Sequence, residues 1–343
     1  MINFPLPRID LDDKLRELLL PYTRFKTGEV WKDKVSRHKI GCLDSSDPSA
    51  VEKLKDERGA VLAVHDPPYN FVAFKETDVA EFIEWSRKWI KNTYNFLAEN
   101  ASLYIWLGAD QNNDFQPLPD FINMMKESGF KSRSFITMRN QRGYGTQKNW
   151  MSVRQELLYY IKGKPCFNTE AEYTEIPKIM NGYYKKVNGK TTQNFERSKS
   201  EFIRAGNVWV DIQQIFYRMN ENVNGCYAQK PLKAIQRIIK AGSGPEDLVI
   251  DFFSHSGTTL IASEIEERIC YTVDIDPIFC EITLRRLENY RKNKLTGWQN
   301  SNPFAEEILT DIKLKRHLTQ KYNYDFSKLN KVNELKMKET VTE

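Results

Sequence analysis

Very little in this chain is arranged for disulfide, metal or membrane chemistry. Its five cysteines, Cys42, Cys166, Cys226, Cys270 and Cys280, form no CxxC pair. An odd, scattered set reads as free thiols in a reducing cytoplasm. The four histidines are equally dispersed, so no metal site is expected. The sequence contains no run of about 18 apolar residues, the length a transmembrane helix needs. The opening MINFPLPRIDLDDKLRELLLPY carries acids and lacks a signal-peptide layout. Internal repeats and low-complexity tracts are absent. So is any strong excess of one charge: a net +5 over 343 residues permits a polyanionic partner without requiring one. What remains, 40% hydrophobic and 28% charged, is a globular composition. The length suits about two domains, or one α/β domain with insertions.

Apolar runs alternate with helical periods along most of the chain. A helix follows Asp10 or Asp12, either of which can cap it, and Ser46 or Asp47 can cap a second that reaches Lys55. AVLAVH, ending at His65, is uniformly apolar, as a strand covered on both faces should be. A helix is predicted over 77–100, a buried strand in SLYIWLG, and a helix in LPDFINMMKESGF that stops near Gly129. SRSFITMRN and QELLYYIKG read as strands with no helix between them, hence an antiparallel edge pair. Their connection, QRGYGTQKNWMSVR, is too polar and glycine-rich for a regular element. From Cys166 to Asn207 the periodicity decays, and order returns at NVWVDI. QKPLKAIQRIIKAGSG is an amphipathic helix with Pro231 in its first turn. Residues 247–277 then read strand, glycine turn, helix, strand, and a further helix follows from Pro277 to Tyr290. The remaining C-terminal residues look helical or partly loose. This alternation predicts a mostly parallel sheet with helices on both faces.

Three stretches carry chemistry. In DFFSHSGTT a strand ends at Asp251, a turn of small residues follows, and a helix begins at Thr258 or Thr259. Gly257 allows close backbone approach to a ligand. The stretch is not GxGxxG, and it lacks the lysine of a phosphate loop, which disfavours ATP. Further on, the strand ICYTV ends in Asp274, placed to accept ribose hydroxyls from an adenosine-containing ligand. Read alone, this is equally a tight turn with a strand-end acid. In DPPY, Asp66 stands at a strand's carboxyl end, and the stiff Pro67–Pro68 turn holds it beside the Tyr69 ring. An acceptor next to a flat aromatic face suits a base with an exocyclic amino group; the plainer reading is a turn that ends a strand. QKP, at Gln229 to Pro231, is by itself only the start of a helix.

Together these segments resemble the amino-group DNA methyltransferases of the beta class, in which DPPY precedes a variable region and the cofactor turn follows it. The resemblance covers residues 39–290. It implies a Rossmann-like, seven-stranded, mostly parallel sheet with an antiparallel edge hairpin and an inserted target-recognition region. The corresponding division is 1–38 (N-terminal extension), 39–165 (catalytic half), 166–207 (target recognition), 208–290 (cofactor half) and 291–343 (C-terminal appendage). It implies methyl transfer from S-adenosylmethionine to a flipped-out base in double-stranded DNA, within a restriction-modification setting, with no membrane partner; a homodimer is compatible with it. Carried over, Asp66, Pro67, Pro68 and Tyr69 are catalytic: Asp66 and the Pro67 carbonyl accept from the amino group and Tyr69 stacks on the base. Asp251, Phe253, Ser256, Gly257, Thr258 and Lys230 surround the methionine part of the cofactor, and Asp274 takes the ribose. Phe252 and His255 depart from the family's turn, and CYAQKP departs from its usual lead-in. His255 is expected to face solvent, because the glycine after the serine is retained. DPPY resembles the adenine-N6 enzymes more than the cytosine-N4 ones. Arg139, Arg142 and Lys148 on one loop, and Lys185, Lys186 and Arg197 in the recognition region, are the candidate DNA contacts. A catalytically silent nucleic-acid-binding module and an RNA methyltransferase are the rival readings.

Overall fold

A computed structural model describes residues 5–68, 78–108, 114–144, 150, 152–178, 183–194, 200–216, 218–299 and 301–326. Its strands are β1 (Val30–Lys32), β2 (Lys39–Cys42), β3 (Ala60–His65), β4 (Leu97–Trp106), β5 (Lys131–Tyr144), β6 (Ser152–Lys162), β7 (Tyr173–Pro177), β8 (Tyr183–Val187), β9 (Lys190–Asn194), β10 (Phe202–Arg204), β11 (Val208–Trp209), β12 (Leu248–Asp251) and β13 (Ile269–Asp274). The α-helices are α1 (Asp13–Leu19), α2 (Pro48–Glu52), α3 (Val79–Phe96), α4 (Leu118–Met125), α5 (Leu232–Gly242), α6 (Thr258–Ile265), α7 (Pro277–Asn293), α8 (Ala305–Thr310) and α9 (Ile312–Tyr322).

One sheet runs β1-β2-β13-β12-β3-β4-β6-β5-β11. β2, β13, β12, β3 and β4 are mutually parallel, and β6 lies antiparallel to both β4 and β5. The seven expected strands are therefore present, with the short β1 and β11 added at the edges. Alternate residues feed opposite layers, as the strand period of two requires. Ala63, Leu103, Ile105 and Ile250 meet α2, α3 and α4 on one face. Leu62, Val64, Tyr104, Trp106 and Val249 meet α5 and α6 on the other, which explains why AVLAVH is apolar throughout.

Strand order reverses between β12 and β3: the chain steps outward from β12 to β13 on one side and from β3 to β4 on the other. Ligands of open α/β sheets bind outside the carboxyl ends at such a point. Asp251 closes β12 and Asp66 follows β3, so both acids flank this crevice.

A buried imidazole sets their relative height. His65 Nδ1 accepts the Phe252 N–H at 3.1 Å, which assigns the ring proton to Nε2. Nε2 lies 3.0 Å from Thr93 Oγ1, and that hydroxyl donates to the Trp89 carbonyl at 2.9 Å. The ring also stacks on Phe252 and meets Trp89 edge-on.

Several local expectations need correction. The helix predicted over 77–100 gives way to strand at Leu97, where pairing with Ala60 captures the chain. β5 continues past Asn140 into the glycine-rich stretch. The aperiodic segment contains four short strands in two small sheets, β7·β10 and β8·β9. The hairpin β8–β9 turns at Asn188 and Gly189, both with positive φ (52° and 75°), the pattern an Asn-Gly two-residue turn provides.

Described residues near the two ends, far apart in sequence, pack together on α7. Leu15 and Leu19 join Ile278, Ile282, Phe304, Ile308, Leu314 and Leu318 in one buried cluster. The buried Asp12 accepts from Leu15 N as the N-cap of α1, and His317 and Tyr322 bond its other oxygen at 2.8 Å each. These bonds, with Lys321, hold its carboxyl well below the usual range against the opposing effect of burial.

Replacing His65 by leucine leaves the buried Phe252 N–H without an acceptor, a loss worth about 1–3 kcal/mol. A urea titration of His65→Leu should show that loss, and a midpoint equal to the parent's would remove His65 as the clamp between β3 and β12.

Candidate active site

The turn after β12 is built by backbone bonds to β13. Ser254 N donates to Val273 O at 2.7 Å, and His255 N donates to Asp274 Oδ2 at 2.8 Å. Asp251 Oδ1 accepts from Phe253 N at 2.9 Å. Gly257 has φ 75° and caps α6; a Cβ there would lie 3.0 Å from the Thr283 side chain. Both the left-handed backbone and the close approach to α7 therefore demand glycine. α6 has no side-chain cap, so its first N–H groups are left as donors beside the turn.

The QKP triplet builds the opposite wall. Gln229 accepts from Val223 N at 3.0 Å and donates to Glu221 O at 2.7 Å. Glu221 in turn accepts from Leu232 N, capping α5 where Pro231 offers no side chain to do so. The loop so fixed aims Lys230 at Asp66, Nζ to Oδ2 2.7 Å. Asp66 Oδ1 is buried and has no hydrogen-bond partner among the described residues. Burial raises the Asp66 carboxyl above its ordinary value; Lys230 opposes the shift and the nearby Asp251 charge adds to it.

Asp66, Lys230, Asp251, Phe253, Ser256 and Thr258 all line one small cavity, closed by Val64, Trp106 and Ile235. These are sequence-predicted residues drawn from three separate stretches. Gly257 shapes the turn beside them, and Asp274 sits behind it. Pro67 is buried and Pro68 exposed; Tyr69 lies outside the described residues.

His255 departs from expectation. It does not face solvent but is half-buried, with φ 46°, its ring 4.8 Å from that of Phe279 and lining the same cavity. The apolar ring of α7 supplies a better surface than water for the imidazole. Burial, assisted by Lys230, pushes its pKa down to about 4.

Arg286 was not singled out from sequence, though it continues the apolar stripe of Ile278 and Ile282 at helical spacing. It is fully buried and donates to Ser256 O (2.8 Å), Thr258 Oγ1 (3.0 Å), Thr296 O (2.6 Å) and Glu221 O (3.3 Å). It thereby ties the turn, the QKP lead-in and the chain after α7. Burial lowers its pKa to about 10, which leaves it charged at neutral pH.

The basic candidates are not gathered by any described contact. Arg139 is exposed on β5 and Lys186 is exposed on β8. The backbones of Arg142 and Lys185 lie in β5 and β8, with their side chains outside the described residues, as are Lys148 and Arg197. A larger cavity, about 610 Å³, opens under β5 and β6 around Tyr159, Phe167, Arg204 and Arg237. It contains none of the acids discussed above; Asp66 and Asp251 line the small crevice instead.

The family described as DNA methylase matches residues 61–285. The type II methyltransferase M.HpaI of Haemophilus parainfluenzae is 25% identical over 248 residues, 70% of this chain and 73% of that protein. The DNA adenine methyltransferase YhdJ of Escherichia coli (strain K12) is 28% identical over 238 residues, 66% and 76% of the two chains. Among solved structures, the cytosine-N4-specific PvuII DNA methyltransferase superposes with a TM-score of 0.54 at 16% identity, covering 76% of this chain and 89% of that one, a likeness of fold.

Two groups of the turn titrate with opposite sign. Burial, joined by the Asp276 charge and opposed by two backbone N–H groups, pushes Asp274 up to about 7 from 3.8. Its contribution to stability is full below 3.8 and is lost as pH rises through about 7. His255, pushed down from 6.5 to about 4, contributes stability that is present above 6.5 and lost as pH falls through about 4. In Asp274→Asn only the histidine's rising limb remains. Urea midpoints measured at about pH 5 and about pH 7.5 should show the variant gaining on the parent as pH rises; a constant difference would refute the shifted carboxyl.

Proposed function

The chain belongs to the N6/N4 DNA methylase family, and from that we propose that it transfers a methyl group from S-adenosylmethionine to the 6-amino group of an adenine in double-stranded DNA. S-adenosylmethionine supplies an electrophilic methyl on a sulfonium and departs as a neutral thioether. The residues at the crevice suit such a molecule: a left-handed glycine turn leading into α6, uncapped N–H donors at α6, and an acid closing each of two adjacent strands. Gly257, Ser256, Thr258, Asp251 and Phe253 would hold the methionine part and Asp274 the ribose.

The observation that carries the reading is Asp66 Oδ1, a buried acceptor without a partner among the described residues, at the switch point of the sheet. An amino group donating there, and to the Pro67 carbonyl, gains electron density on its nitrogen and is held for attack. Tyr69 follows directly and offers a stacking face, which an extrahelical base requires. The DPPY form and the likeness to an adenine methyltransferase support adenine; the fold shared with a cytosine-N4 enzyme makes cytosine the second reading. Lys185, Lys186 and Arg197, with Arg139, Arg142 and Lys148, serve as phosphate contacts.

The test is incubation of the full chain with labelled S-adenosylmethionine and mixed genomic DNA, followed by nucleoside mass spectrometry. N6-methyladenine is expected, and Asp66→Ala should lower its formation by about 100- to 1,000-fold. N4-methylcytosine would transfer the assignment to cytosine. Label in RNA alone, or none in DNA, would overturn it. For the basic hairpin, Lys185→Ala with Lys186→Ala should flatten the slope of log affinity against log salt by about 0.9 for each phosphate no longer neutralised. An unchanged slope in filter binding would remove that hairpin from the DNA surface.

A further inference from the structure

Lys230 is a conspicuous group in the crevice, because its partner is the acid that meets the substrate. We propose that Lys230 is a positioning residue: by pairing with Asp66 Oδ2 it keeps that carboxylate ionised and turned so that Oδ1 alone is offered to the target amino group, and it is not an anchor for the cofactor. The assignment rests on the reading of Asp66 as the amino-group acceptor.

The geometry supports this division of the two oxygens. Oδ2 lies 2.7 Å from the ammonium. Oδ1 is buried and without a partner among the described residues. The lysine side chain is only 6% exposed, its ammonium lies 5.4 Å from the centroid of the Trp106 ring, and its backbone is fixed by the bonds of Gln229 and Glu221. It has little freedom to point elsewhere.

The chemistry requires an ionised acid. A carboxylate accepts the amino hydrogen and leaves the nitrogen lone pair free. A protonated carboxyl would present an O–H donor to that same lone pair and withdraw it from attack. As the N–C bond forms and the C–S bond breaks, its electron pair stays on sulfur, and one amino proton must leave toward an acceptor. Yet a buried acid tends to neutralise itself by taking a proton. Among the described residues, the charged and titratable groups around Asp66 are Lys230 from the loop before α5, Asp251 at the end of β12, His65 on β3 and His255 in the turn. Asp251 opposes ionisation, His65 accepts a backbone N–H, and burial keeps His255 neutral. Lys230 is the cation that counters the tendency.

Three variants separate charge from bulk: Lys230→Met, Lys230→Gln and Lys230→Arg. Single-turnover methylation of double-stranded DNA would be followed against pH. In Lys230→Met the acidic limb should move up by about 1 pH unit or more, a tenfold loss on the limb, and recover at higher pH. Lys230→Gln, which keeps a hydrogen bond without charge, should shift in the same direction and serves if the methionine variant melts early. Lys230→Arg should keep the parent's limb. Calorimetric affinity for S-adenosylmethionine should change by less than about threefold, under 1 kcal/mol by the usual conversion. An unmoved limb, or a tenfold weaker cofactor with an unmoved limb, overturns the proposal and, in the second case, gives Lys230 to the cofactor. The Asp66 carboxyl is also titrated by carbon-13 NMR without DNA or cofactor, its signal identified with Asp66→Asn. It should titrate at higher pH in Lys230→Met than in the parent, and an identical titration refutes the proposal. Because that measurement needs no turnover, it decides the role of Lys230 even if the parent methylates no DNA.

Discussion

The crevice depends on one imidazole. Asp66 and Asp251 belong to adjacent parallel strands, and nothing in β pairing alone fixes how far each strand projects beyond the sheet. His65 fixes it. Its Nδ1 takes the first N–H after Asp251, while its own backbone leads directly into Asp66. Its other nitrogen is held through Thr93 to a carbonyl of α3, so the ring cannot rotate without breaking bonds on both sides. A second buried histidine repeats the device one step along the sheet: His38 Nδ1 accepts Cys270 N and its Nε2 meets Glu264. Two of the four histidines thus act as struts between parallel strands, where a neutral ring offers one acceptor and one donor in fixed directions.

On this frame the site sets three acids, Asp66, Asp251 and Asp274, against two buried cations. The cations work differently, and their chemistry explains the choice. Arg286 has several donors in a planar fork and directs them to carbonyl and hydroxyl oxygens, holding the turn and the QKP lead-in as one body. Lys230 is a point charge on a flexible stem and meets Oδ2 of Asp66. An arginine in its place would keep the charge but bring further donors near Oδ1, the oxygen without a partner among the described residues.

Much of this was legible in the chain itself. Acids at the ends of two apolar runs, a glycine turn before a helix, and the alternation of strand and helix together imply one crevice at a switch point, and that is where Asp66, Lys230, Asp251 and Thr258 meet. The residues that hold them there were harder to see. His65, Glu221 and Arg286 act on backbone atoms contributed by segments far from them in sequence, and a backbone partner leaves no mark on composition. The solvent-facing reading of His255 failed because the apolar surface beside it, Phe279, arrives from α7. The end of α3 was missed because no glycine or proline marks it; only pairing with β3 turns Leu97 into strand. In the region 166–207 the strands are short, and the described side chains of β7 and β10 are mostly exposed, Phe202–Arg204 throughout, so no hydrophobic alternation betrays them. The Asn188–Gly189 turn was a legible sign that a hairpin was there.

The extensions at the two ends bear on the crevice as well. α7 presents Ile278 and Ile282 to the cluster formed by segments near the two ends, and from the same helix it presents Thr283 and Arg286 to the turn after β12. Ile282 and Thr283 are consecutive, so neighbouring positions on two faces of one helix carry both duties. Arg24, from the N-terminal segment, bonds Glu281 and Glu288 of α7, and Arg285 reaches Glu281 and the Pro303 carbonyl. The rotation of α7 about its axis is therefore set partly by residues outside the sheet. A rotation of that helix would move Thr283 against Gly257, where an added Cβ would already lie 3.0 Å from that side chain. The terminal segments consequently help to hold the turn in shape, although none of their described side chains lines the cavity.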